Sequence, residues 1–222
     1  MKKILLVWLS ALIISASYAN ASSVVKLTSA DQQILYPMPA NYCNITDDLR
    51  GTLLNQFVAP QTKKLGLPKP QLFMAPCDSD ISSGYPWVWV GLMSNNPTMS
   101  QNSANKFLAK LIGNEELLQE MNKTVQDSNK SMIETFAGWE SDLDFSKQKI
   151  IWADENSFLV GQYVNGKVED MVVEEVVFSS TTVVDELFVF TYAYILKDSI
   201  PTEKDISALL INNAVTLKRL NQ

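Results

Sequence analysis

The sequence predicts an α+β fold in which an antiparallel β-sheet has helices packed on both faces, an α/β/α sandwich. Three observations carry that expectation. The C-terminal third reads as a series of strand runs joined by short turns. Two runs, Tyr85 to Met93 and Leu187 to Leu196, are apolar on both faces and need cover on both sides. Amphipathic helical patterns precede and follow them, and a helical layer on each face is the simplest cover.

The N-terminus sets the compartment. Lys2 and Lys3 precede an apolar run from Ile4 to Ile14, which gives way to small residues ending in Ala19-Asn20-Ala21. This is the pattern of a signal peptide spanning residues 1–21, with cleavage expected after Ala21 and Ala19 as the alternative. The apolar core is too short for a bilayer span, which needs about 20 residues. Residues 22–222 are then one exported, soluble domain, long enough to bury a substantial core. Losing the signal leaves 16 of the 18 basic residues against 24 acidic ones, a net charge of −8. That balance excludes nucleic acid and disfavours anionic lipid as partners.

Along the chain, Ser22 to Ser29 reads as a polar spacer. Ile34 to Tyr36 forms a short edge strand stopped by Pro37 and Pro39. Thr46, Asp47 and Asp48 open a helix whose apolar stripe is Leu49, Leu53, Leu54 and Phe57 and which Pro60 ends. Gln71 to Ala75 is a strand leading to Cys77. The only cysteines, Cys43 and Cys77, lie in an oxidising compartment and are expected to pair, closing a 34-residue separation worth about 4 kcal/mol.

After the Tyr85–Met93 strand, Ser103 to Phe136 carries helical spacing broken at Gly113-Asn114, which predicts two helices. Strands follow at Lys149 to Ala153, Phe158 to Val164, Lys167 to Phe178 and Leu187 to Leu196. Asn165-Gly166 signals a type I′ turn between the middle two. Thr202, with Asp205 three residues on, caps a final amphipathic helix reaching about Leu220. This order of elements resembles the PsbP-like family of exported proteins. The resemblance implies a curved antiparallel sheet between helices and an accessory or assembly role, and it transfers no residue role.

The 222 residues include no histidine. This removes the commonest general base and the commonest transition-metal ligand together, and with them Ser-His-Asp, Cys-His and zincin chemistry. Ser103-Ala104-Asn105-Lys106 spells SxxK, but the SDN and KTG companions of that mechanism are missing, so a capping serine and a solvated lysine explain it better. Asp78-Ser79-Asp80 begins like a calcium loop, yet Gly84 falls one position late and Trp89 stands where the closing glutamate belongs. Glu174 and Glu175 fall on opposite strand faces. Asp142 and Asp144 would share a face in a strand, but Asp144-Phe145-Ser146 reads as a turn into the next strand. The eight glycines form no phosphate-binding motif.

No catalytic, cofactor-binding or metal-ligating residue is therefore expected, and no cofactor. The remaining candidates are aromatic: Trp87, Trp89, Tyr163, Tyr192 and Tyr194, which could line a ligand groove or a partner face, although alternating strand aromatics are more often core. The reading that results is a non-enzymatic periplasmic accessory or assembly protein that binds another envelope protein. A small-ligand or lipid-binding module is the alternative, and a hydrolase working without histidine ranks last.

Overall fold

The computed structural model describes residues 23–29, 32–64, 66–79, 86–94, 106, 110, 114, 116, 119–120, 123, 141–146 and 148–222. The expected signal peptide, the start of the Tyr85–Met93 strand and most of Ser103–Phe136 lie outside the described residues. Within that last stretch Lys106, Lys110, Glu116, Gln119, Glu120 and Lys123 are helical and Asn114 is not.

The elements are β1 (Val24–Ser29), β2 (Gln32–Pro37), β3 (Tyr42–Asn44), α1 (Leu49–Lys64), β4 (Pro70–Pro76), β5 (Trp87–Ser94), β6 (Ser141–Phe145), β7 (Lys149–Ala153), β8 (Ser157–Val168), β9 (Met171–Val184), β10 (Leu187–Leu196) and α2 (Glu203–Leu220). The fold is α+β, and its main sheet is antiparallel in every pairing. Its eight strands run β3-β4-β5-β10-β9-β8-β6, with β7 also pairing β8. β1 and β2 form a separate hairpin.

Three expectations fail locally, each for a physical reason. Ser22 to Ser29 is not a spacer, because Val24 to Ser29 forms β1 and its Leu27 is buried in the core with Ile34 and Tyr36 of β2. Asn165-Gly166 is not a turn, because β8 runs through it to Val168 and the chain reverses at Glu169-Asp170. β6 pairs alongside, Leu143 opposite Gly166, and a side chain on that glycine would sit 2.0 Å from the Asp142 carbonyl oxygen. The turn expected at Asp144 to Ser146 is thus displaced, because β6 continues to Phe145. A second two-residue turn, between Val184 and Leu187, joins β9 to β10, and there Asp185 and Glu186 both adopt positive φ, 48° and 64°.

Alternation sorts the core into separate packings. Leu72, Met74, Val88, Val90, Leu92, Val189, Ala193 and Ile195 join Ile206, Leu210 and Leu217 of α2 and the hairpin residues Leu27, Ile34 and Tyr36 in one cluster. Phe73, Ala75 and Trp89, on the intervening positions, pack with Ile45 and with Val58 and Leu54 of α1. The expected final helix is present. Thr202 Oγ1 accepts from Asp205 N–H while the Asp205 carboxylate accepts from Thr202 N–H, a reciprocal capping box.

Candidate protein-interaction face

α1 begins where Asp48 accepts a hydrogen bond from Gly51 N–H at 3.0 Å, satisfying one of the free donors of the first turn. Arg50 holds the same carboxylate through Nε and Nη2 at 3.0 and 2.8 Å, and its Nη1 donates to the Ser79 carbonyl at 2.9 Å. Slight burial works against the charged carboxylate, but the Arg50 contacts and the Gly51 N–H outweigh it and bring the Asp48 pKa below its ordinary value. The ring of contacts fixes the direction in which the helix leaves β3.

The direction α1 faces overturns the stripe expected from the sequence. Its buried positions are Gly51, Val58 and Thr62, with Leu54 packed partly against the core. Gly51 is required there, since a β-carbon at that site would lie 2.0 Å from the Ile45 carbonyl oxygen. The helix therefore approaches its support through small residues. That turns Leu49, Leu53 and Phe57 outward, at 60%, 39% and 55% exposure. These three stand at i, i+4 and i+8 on one side. α1 also passes through Pro60 and continues to Lys64, so the proline does not end it. The bond lost to the missing N–H is the one to the carbonyl of Gln56, an exposed residue that water can reach.

The disulfide pins both ends of this unit. Cys43 lies in β3, immediately before α1, and Cys77 directly follows β4, with 4.9 Å between their Cα atoms. Tyr42 to Asn44 pair with Met74 to Pro76, and Cys77 N–H donates to Asn41 O at 2.9 Å, so the bridge closes a short ladder.

The five aromatic candidates divide between the two sheet faces. Trp89 pairs with Tyr192 and Trp87 with Tyr194 across β5 and β10, and the rings stack at centroid distances of 4.5 and 4.1 Å with planes 11° and 14° apart. Trp89 is 2% exposed, and all four rings join the cluster that contains Val58 and Leu54 of α1. Rings in van der Waals contact leave no slot between them for a ligand. Burial raises the phenol pKa of both Tyr192 and Tyr194, with a Ser179 hydrogen bond offsetting part of the effect at Tyr192. Tyr163 stands apart. Paired with Val176, it shares the α2 side and donates its hydroxyl to Glu203 Oε2 at 2.7 Å, which raises its own pKa.

The other sequence candidates do not converge. Asp142 and Asp144 share one face of β6, both on its exposed side. Glu174 bonds Lys197 at 3.4 Å. Lys106 is an exposed helical residue, whereas Ser103 and Asp80 lie outside the described residues. Among the described residues no three acidic, histidine or cysteine side chains gather as a metal site would, and no helix is long and apolar enough to cross a membrane.

No protein-family model and no curated protein matches the chain. Solved structures with a similar course of chain include the cyanobacterial PsbP (CyanoP) of Synechocystis sp. PCC 6803, at 11% identity and a TM-score of 0.41 over 90% of this chain and 95% of that one. Another is the Ran-binding protein Mog1p of Saccharomyces cerevisiae, at 8% identity and a TM-score of 0.38 over 90% and 91%. Likeness at this level assigns neither family nor function.

Proposed function

We propose that the chain is an exported, non-enzymatic accessory or assembly protein that binds another protein of the envelope through the outer face of α1. In this reading residues 1–21 are a cleaved signal, the mature domain is periplasmic, and α1 and α2 cover opposite faces of the sheet as the outer layers of an α/β/α sandwich. One observation carries the binding site: Leu49, Leu53 and Phe57 form an exposed apolar row on a helix anchored by a disulfide and an Asp48–Arg50 cap. From Gly51 to Thr62 the helix carries no charged residue, in a chain that is 19% charged. Apolar anchors in a charge-depleted patch are what the centres of protein interfaces share.

A photo-crosslinking amino acid placed at Phe57, in protein exported by its own host, tests this. A single predominant protein adduct is expected, and Leu53→Asp should reduce it about tenfold or more. A lipid or small molecule in place of a protein adduct would favour the ligand-binding alternative. No adduct at all would remove the α1 face from consideration.

A further inference from the structure

The proposed use of the α1 face leaves its occupant unnamed, and the inference here rests on that reading. The residues of α1 describe the chemistry its occupant must have. The apolar row is flanked by an acid before the helix, Asp47, and by a base in its last turn, Lys63, both exposed and separated by the uncharged stretch. A helix laid antiparallel on α1 would match it best if it were uncharged in the middle, basic at its C-terminal end and acidic at its N-terminal end. α1 itself has that pattern.

We propose that the α1 face takes a second copy of this chain, α1 against α1, around a two-fold axis midway between Leu53 and Phe57. In that register Leu53 of each copy lies opposite Phe57 of the other, and Asp47 of each lies opposite Lys63 of the other. Every contact occurs twice, as an isologous interface requires. The opposed helix dipoles run antiparallel, which adds to the match rather than opposing it. Asp48, already held by Arg50, takes no part. A contact confined to one helix per copy belongs among small interfaces, so the dimer is weak and concentration-dependent. It shields the apolar row until another protein competes for the same face.

Sedimentation velocity on the oxidised, signal-free protein over increasing concentration is the test. The expected result is a mass rising toward that of a dimer. Phe57→Glu should abolish the rise and Lys63→Glu should weaken it severalfold. Asp47→Lys combined with Lys63→Glu should restore it, since reversing both charges recreates the pairing. Each variant is checked for an unchanged far-ultraviolet circular dichroism spectrum and melting temperature, because all three positions are exposed. A monomer at every concentration overturns the proposal, as does a dimer that survives Phe57→Glu. If the protein stays monomeric while the Phe57 crosslink to another protein persists, self-pairing falls and the docking face stands. If both are lost, both readings fall together.

Discussion

Asp48 shows how one side chain can set an element. It caps α1 through Gly51 N–H and holds Arg50, which in turn reaches Ser79 beside Cys77. Its pKa is lowered in the folded chain, as is that of Asp205, where hydrogen bonds from Thr202 dominate. A carboxylate with a folded pKa below its unfolded value of about 4 contributes stability above that value and loses it as pH falls through the folded pKa. Stability limited by these groups should therefore hold above about pH 5 and decline below about pH 4. Asp48→Asn keeps an oxygen for the cap but cannot ionise. Urea titrations should show it less stable than the parent protein at pH 7, with the gap closing between about pH 4 and pH 2 as the parent's carboxylate takes up its proton. Asp48→Ala should lose about 1 kcal/mol already at neutral pH. An identical acid profile for parent and Asp48→Asn would mean that the Arg50 contact contributes nothing.

At the scale of elements, much was legible in the sequence, and what was not has identifiable causes. The final helix could be read from Thr202, Asp205 and the spacing of Ile206, Leu210 and Leu217, because cap and periodicity agree. The β5 and β10 strands could be read because both faces are apolar. For α1 the spacing of leucines announced an amphipathic helix, yet periodicity does not say which face a support will choose. Gly51, Val58 and Thr62 were the clue, since only small residues allow the backbone to come so near Ile45. Asn165-Gly166 misled because turn propensity is local, whereas the pairing of β6 with β8 is decided by residues 19 to 27 positions away. The aromatic candidates could be named but not sorted: strand alternation groups Trp87 with Trp89, while the register between strands decides that Tyr163 faces the other way. The disulfide was readable from the cysteine count and the expectation of an oxidising compartment. Replacing both cysteines, Cys43→Ser with Cys77→Ser, should lower the melting temperature by roughly 5–15 °C, from about 2–4 kcal/mol of lost stability. Hydrogen exchange should then quicken first in α1 and β3, the elements that the bridge closes. A melting temperature unchanged from the oxidised parent would show that the β3–β4 ladder holds the unit unaided.

At the scale of the whole molecule, the β1–β2 hairpin meets the end of α2. Among the described residues the N-terminal hairpin pairs with no strand of the main sheet, and side-chain contacts hold it instead. Leu27, Ile34 and Tyr36 enter the core shared with α2. The Tyr36 hydroxyl lies 3.3 Å from Thr191 Oγ1 in β10 and accepts from Asn213 Nδ2 of α2 at 3.3 Å, joining three elements through one buried polar group. At the hairpin's outer edge Asn221, one residue beyond α2, presents its amide to the backbone of Leu35 as a neighbouring strand would. Its Oδ1 accepts from Leu35 N–H at 2.9 Å and its Nδ2 donates to Leu35 O at 3.0 Å, while Nδ2 also reaches the Leu217 carbonyl at 2.8 Å. An open strand edge invites pairing with other chains, and this amide occupies the middle of β2 instead. Asn221→Ala removes three hydrogen bonds at part-buried sites but leaves water able to replace some of them, so the expected cost is about 1–2 kcal/mol. The local effect should exceed the global one. Exchange at the Leu35 amide should accelerate far more than exchange in β9 or β10, because the hairpin can open without disturbing the central strands. If exchange instead rose equally across the sheet, the hairpin and the sheet would unfold as a single unit, and Asn221 would be a keystone of the whole fold rather than a latch on its first two strands.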